Sequence, residues 1–126
     1  MYINFNANPA HRRTIDCTIR AISCATGESW ETVFIGIVME CLRLHDMPEK
    51  DHVWGTYLYK NGWRRKLVDA ECPSCYTLGD FCREYPDGIY IVAVPGHLAA
   101  VKGGDLYDTW DSSQECPIYY WEKGGE

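Results

Sequence analysis

The Gly103-Gly104 pair constrains this chain more than any other dipeptide in it. It divides "GHLAAVKGGDLYDTWD" into two apolar-rich arms, and two adjacent glycines between such arms select a two-residue hairpin loop. The loop fixes the register. Lys102 faces Asp105, Val101 faces Leu106, Ala99 faces Asp108, and His97 faces Trp110. Strand side chains alternate between faces, so His97, Ala99 and Val101 share one face with Leu106, Asp108 and Trp110, and Asp111 falls on the other. Asp108 is then the diagonal neighbour of His97, about 7–8 Å away between backbones and within side-chain reach.

Upstream of this hairpin, "IYIVAV" (residues 89–94) is an unbroken apolar run. Such a run predicts a central strand buried on both faces. "PIYYW" near the end predicts a further strand. The amino-terminal half reads as helices. Asp16 and Gly27 suit the start and stop of a helix over 17–26. Ser29 suits the cap of a second, whose stripe is Trp30, Val33, Phe34, Ile37, Val38, Cys41 and Leu42. Pro48 suits the first turn of a third, running to Asn61 and ended by Gly62, with Val53, Trp54, Tyr57 and Leu58 facing inward. Thr77 and Asp80 have capping-box spacing for a short fourth, stopped by Pro86. Helices followed by a mostly antiparallel sheet predict an α+β fold, with amino-terminal helices packed on a carboxy-terminal sheet. A chain of 126 residues is read as a single domain.

Charge narrows the function. The net charge of −6 argues against nucleic acid, whose phosphates require clustered cations. "WRRKL" (63–67), Arg12 and Arg13 read as solvated faces. No apolar stretch is long enough to span a membrane, and the first residues lack the pattern of a signal peptide, so a cytoplasmic location is expected. Seven cysteines are an odd number and disfavour a closed disulfide framework, so most are expected as thiols.

Among those cysteines, Cys17 has a distinct setting. It sits at the amino end of the first predicted helix, where unpaired N–H groups favour a thiolate. An aspartate beside His97 fixes the tautomer and stabilises the imidazolium, which in turn favours a nearby thiolate. Trp110 is expected to shield the pair from water. The Cys17 N–H is the natural first donor to an oxyanion, with His11, Asn8 or Asn6 as upstream side-chain candidates. Cys24, Cys41 and Cys82 read as core. His45 and His52 read as solvent-facing.

In the order Cys17, His97, Asp108, these residues resemble the papain-like superfamily of cysteine hydrolases, and "GDLYDTWD" after "GHLAAV" is similar to its compact bacterial and phage members. Thr109-Trp110 follows Asp108 where papain-like peptidases often carry Ser-Trp. The resemblance implies a nucleophilic Cys17, a His97 base, an orienting Asp108, a shielding Trp110, a peptide or protein substrate, and no cofactor. The chain departs from the family in lacking its Cys-Gly-Ser-Cys-Trp context and in carrying His11 where papain has its oxyanion Gln. Acyl transfer to another amine needs the same parts. A papain-like scaffold without chemistry, binding a host or partner protein, is the other reading.

"CPSC" (72–75) is a lone CxxC pair. Cys72, Cys75, Cys82 and Cys116 form the one conceivable zinc set, but the spacing matches no known ribbon. A surface turn with thiols and no metal is expected. The sequence specifies no oligomeric state.

Overall fold

The structure is a computed structural model that describes residues 1–12, 14–68 and 75–124. The elements in chain order are β1 (Tyr2–Asn4), α1 (Cys17–Thr26), α2 (Trp30–Leu44), α3 (Asp51–Lys60), β2 (Trp63–Leu67), α4 (Leu78–Glu84), β3 (Ile89–Val94), β4 (His97–Lys102), β5 (Asp105–Asp108) and β6 (Tyr119–Lys123). The strands form one sheet in the order β1-β5-β4-β3-β6-β2. Every pairing is antiparallel except β1 with β5. The fold is therefore α+β with a mostly antiparallel sheet.

The hairpin has the register that its glycines require. Lys102 pairs with Asp105 and Val101 with Leu106, and Gly103 and Gly104 take φ of 59° and 81°. β3 lies inside the sheet between β4 and β6, and both of its faces are covered. Ile91 and Ala93 pack with Ile22, Ile37, Trp54 and Leu58 from α1–α3. Val92 and Val94 pack with Leu78 and Phe81 of α4 on the opposite side. Burying each of the large aliphatic or aromatic side chains contributes about 1.5–3 kcal/mol.

α1 ends where Gly27 turns left-handed and donates its N–H to the Ser23 carbonyl at 2.9 Å. α2 starts at Ser29, whose Oγ accepts from the Thr32 amide. α4 has the full Thr77–Asp80 capping box.

Several expectations are corrected. Strands do not all follow helices: β1 precedes every helix and β2 precedes α4, the two form the edges of the sheet, and α4 covers the face away from α1–α3. α3 begins at Asp51, after the turn that holds Pro48, with Lys50 extended before it. Tyr57 is half-buried. The α2 stripe is narrower than its periodicity suggests. Val33 and Ile37 are buried, whereas Phe34, Val38 and Leu42 are exposed. The cause is layering, because α2 packs chiefly on α1 and α3. At the α2–α3 contact Gly36 leaves room for the Tyr57 ring. The cations of "WRRKL" line the outer edge of the sheet: Arg64, Arg65 and Lys66 are exposed on β2, and Lys66 pairs with Glu122 at 2.5 Å. None of the described helices is long and apolar enough to cross a membrane.

Candidate active site

The amino end of α1 meets the start of β4, and this junction gathers the site. Cys17 is the first residue of α1 and His97 the first of β4. Cys17, His97 and Leu98 line one hollow, and the His97 ring and the Leu98 backbone N–H both lie close enough to the sulfur to favour its thiolate. On its other side the ring meets Asp108, with Nε2 2.7 Å from Oδ2. Nε2 is thus committed to the carboxylate, and Nδ1 is the ring nitrogen left for the sulfur.

Asp108 is buried and well supported. Ser112 Oγ donates to Oδ2 at 2.7 Å and the Thr109 N–H donates to Oδ1 at 2.8 Å. Its backbone carbonyl accepts from the Phe5 N–H at 2.8 Å and the Tyr2 hydroxyl at 3.3 Å. The parallel strand β1, in register Asn4 to Asp108, therefore holds the end of β5 in place. The Trp110 ring lies 5.0 Å from the His97 ring, centroid to centroid, and remains 44% exposed. It covers one side of the imidazole.

The electrostatics follow from this packing. Burial disfavours the His97 imidazolium, but hydrogen bonds to Asp108 and Cys17, with their charges, outweigh it and raise His97 to about 9. Burial also works against a Cys17 thiolate. The His97 hydrogen bond and charge, the Leu98 N–H and the Arg20 charge together outweigh that penalty and leave the thiol below its ordinary range. Both shifts favour a thiolate–imidazolium pair. Cys24, Cys41 and Cys82 behave oppositely, each raised by burial first of all.

Asp16 takes the backbone position of an N-cap but not its side-chain role. Its carboxylate makes no cap bond to α1. It accepts instead from Asn8 Nδ2 at 3.2 Å, from Trp30 Nε1 at 2.9 Å, and from the Arg20 guanidinium. The first amides of α1 are thus left without a side-chain cap, and Cys17 and Thr18 line the cleft beside the thiol. These N–H groups suit a developing oxyanion.

The three upstream side chains expected near that oxyanion do not line this cleft. Asn8 is buried, its amide joined to Asp16 on one end and to the Ala10 N–H on the other. Asn6 accepts from the Asn8 N–H and donates to the Arg12 carbonyl. His11, at φ 53°, lines a separate hollow with Trp110 and Arg12. The amides are used to build the loop that carries the nucleophile.

Sequence reasoning missed Ser112, the Leu98 N–H and the Asn8–Asp16–Trp30 cluster. For the zinc alternative, Cys75 is in a disulfide, Cys82 is buried in the core under α4, and Cys72 lies outside the described residues. Cys116 is half-buried. Among the described residues no three His, Cys, Asp or Glu side chains gather in a way that could hold a metal ion.

No protein-family model matches this chain, and no curated protein or solved structure matches it.

Proposed function

We propose that this protein is a papain-like thiol hydrolase acting on an amide, peptide or isopeptide bond. The observation that carries the reading is the His97 ring, bonded to the buried Asp108 carboxylate and sharing one hollow with Cys17. The Cys17 thiolate attacks the carbonyl carbon, and the oxygen gains negative charge against the amides at the start of α1. The C–N bond breaks, and the His97 imidazolium gives its proton to the leaving amine. His97, now neutral, takes a proton from water, which attacks the thioester. The acid departs and the thiolate–imidazolium pair returns. Asp108 keeps the ring oriented and its charge balanced throughout.

Alkylation with iodoacetamide tests the first step. Cys17 should react at pH 6–7 faster than a free cysteine peptide, and faster than Cys24 or Cys82 in the same chain. Labelling no faster than the peptide removes the nucleophile. One observation favours a partner-binding role in its place: α2 turns Ile35, Met39 and Leu42 to solvent, a patch of the kind found at interaction sites. Cys17→Ala protein that keeps its full biological effect would favour that role over hydrolysis.

A further inference from the structure

We infer that the cleft beside Cys17 receives a cationic side chain of the substrate, lysine or arginine, recognised by Glu49 and Asp51. The inference rests on the thiol-hydrolase reading above and adds the substrate class.

The groove around the thiol is sorted by charge. On one side the hollow that contains Cys17 and His97 has a volume of about 410 Å³. Glu49 and Asp51 line it, and no Lys or Arg among the described residues does. On the other side a hollow of about 530 Å³ is lined by His11, Arg12 and Arg20, and by no Asp or Glu among the described residues. Ile15 lines both hollows and is 95% exposed. It stands as a ridge two residues before the nucleophile, where the two hollows adjoin.

The acidic half has the parts that a long cationic side chain needs. Trp54 and Ile118 give apolar walls against which a methylene stem packs, while its charged head stays with the carboxylates. Asp51 is oriented: its Oδ2 accepts from the hydroxyl of buried Tyr119 at 2.7 Å. Arg65 lies over the Tyr119 ring, 5.0 Å from its centroid, and lines a neighbouring hollow with Asp51 rather than this one. Glu49 has no ion-pair partner among the described residues. In the basic half, Arg20 is engaged by Asp16, which leaves Arg12 among the described residues as a cation that faces a substrate. A peptide lying across Cys17 with a cation on the Glu49 side meets a complementary field, and the reverse charge meets repulsion.

Charged methanethiosulfonates read this field at the sulfur itself. The Cys17 thiolate attacks the sulfenyl sulfur, an S–S bond forms, and methanesulfinate leaves with the electron pair. Aminoethyl (cationic), sulfonatoethyl (anionic) and methyl (neutral) reagents are compared by the labelling rate of the Cys17 peptide, each charged rate divided by the neutral rate on the same protein. The cation-to-anion ratio at Cys17 should exceed that of a free cysteine peptide by about tenfold, and shrink as salt is raised. Glu49→Gln with Asp51→Asn should bring it back near the peptide value. Glu49→Gln alone, at an exposed side chain, should move it part of the way and guards against misfolding of the double variant. A wild-type ratio equal to the peptide's, or one that both variants leave untouched, overturns the cationic subsite while fast neutral labelling preserves the nucleophile. Slow neutral labelling overturns both.

Discussion

His97 Nε2 and Ser112 Oγ meet the same oxygen of Asp108, each at 2.7 Å. The carboxylate that orients the imidazole is itself fixed by a fully buried hydroxyl. Ser112→Ala leaves a buried acceptor with one bond fewer, at a cost of about 1–3 kcal/mol in urea unfolding. Hydrolysis should slow by about tenfold or less, because the His97–Asp108 contact survives. Asp108→Asn should be more damaging, since the imidazolium loses its counter-charge. A Ser112→Ala protein with wild-type stability and rate would show that the hydroxyl has no part in holding the carboxylate.

The two shifted groups set a pH window. Lowering pH protonates the Cys17 thiolate. Raising it removes the His97 proton as pH passes about 9. Alkylation by a neutral reagent needs only the thiolate, so it should persist below the ordinary thiol range and not fall at high pH. Hydrolysis also needs the imidazolium proton for the leaving amine, so its rate should decline above about pH 9. Asp108→Asn should move that upper limb to lower pH, because the hydrogen bond that raises His97 is weakened. An upper limb that does not move in this variant would detach Asp108 from His97.

Asp16 joins three elements next to the nucleophile through Asn8, Arg20 and Trp30. Asp16→Ala leaves a largely buried Arg20 guanidinium unpaired, and loss of one partner of such a pair costs about 3–5 kcal/mol. Trp30→Phe removes one donor and should cost about 1 kcal/mol. Urea midpoints at constant slope measure both. Cys17 alkylation should slow in Asp16→Ala, because α1 loses its anchor to the preceding loop.

Gly36 makes a prediction whose sign runs against propensity. In an exposed helix Gly→Ala is worth about 1 kcal/mol of added stability. Here a Cβ would stand 2.2 Å from Tyr57 Cε1. Gly36→Ala should therefore destabilise by about 1–3 kcal/mol, and Tyr57→Ala in the same chain should remove that penalty. Thermal unfolding of the two variants decides it.

Much of this architecture was legible because its signals are local. Two glycines fixed the β4–β5 register, and an unbroken apolar run marked β3. Cap chemistry marked α2 and α4. The His97–Asp108 contact followed from the register alone. The remainder depends on contacts far apart in sequence. β1 has three residues, too few for a periodic pattern, yet it pairs with β5 a hundred residues later. β2 read as a charged face because its only buried residue is Trp63. Asp16 read as a cap because its position fits one; Asn8 and Trp30 draw its carboxylate away. The exposed half of the α2 stripe could not be told from core, since periodicity reports amphipathicity and not which layer a helix occupies.

The run Arg64-Arg65-Lys66 on β2 has a consequence for how the molecule keeps to itself. β6 occupies one side of that strand, and no strand among the described residues pairs with the other. Its outer amides and carbonyls would otherwise be a template for any extended chain nearby. A visiting strand would have to strip water from three successive cations and settle beside like charge from an identical copy, so stacking into fibrils is opposed at the edge where it would begin.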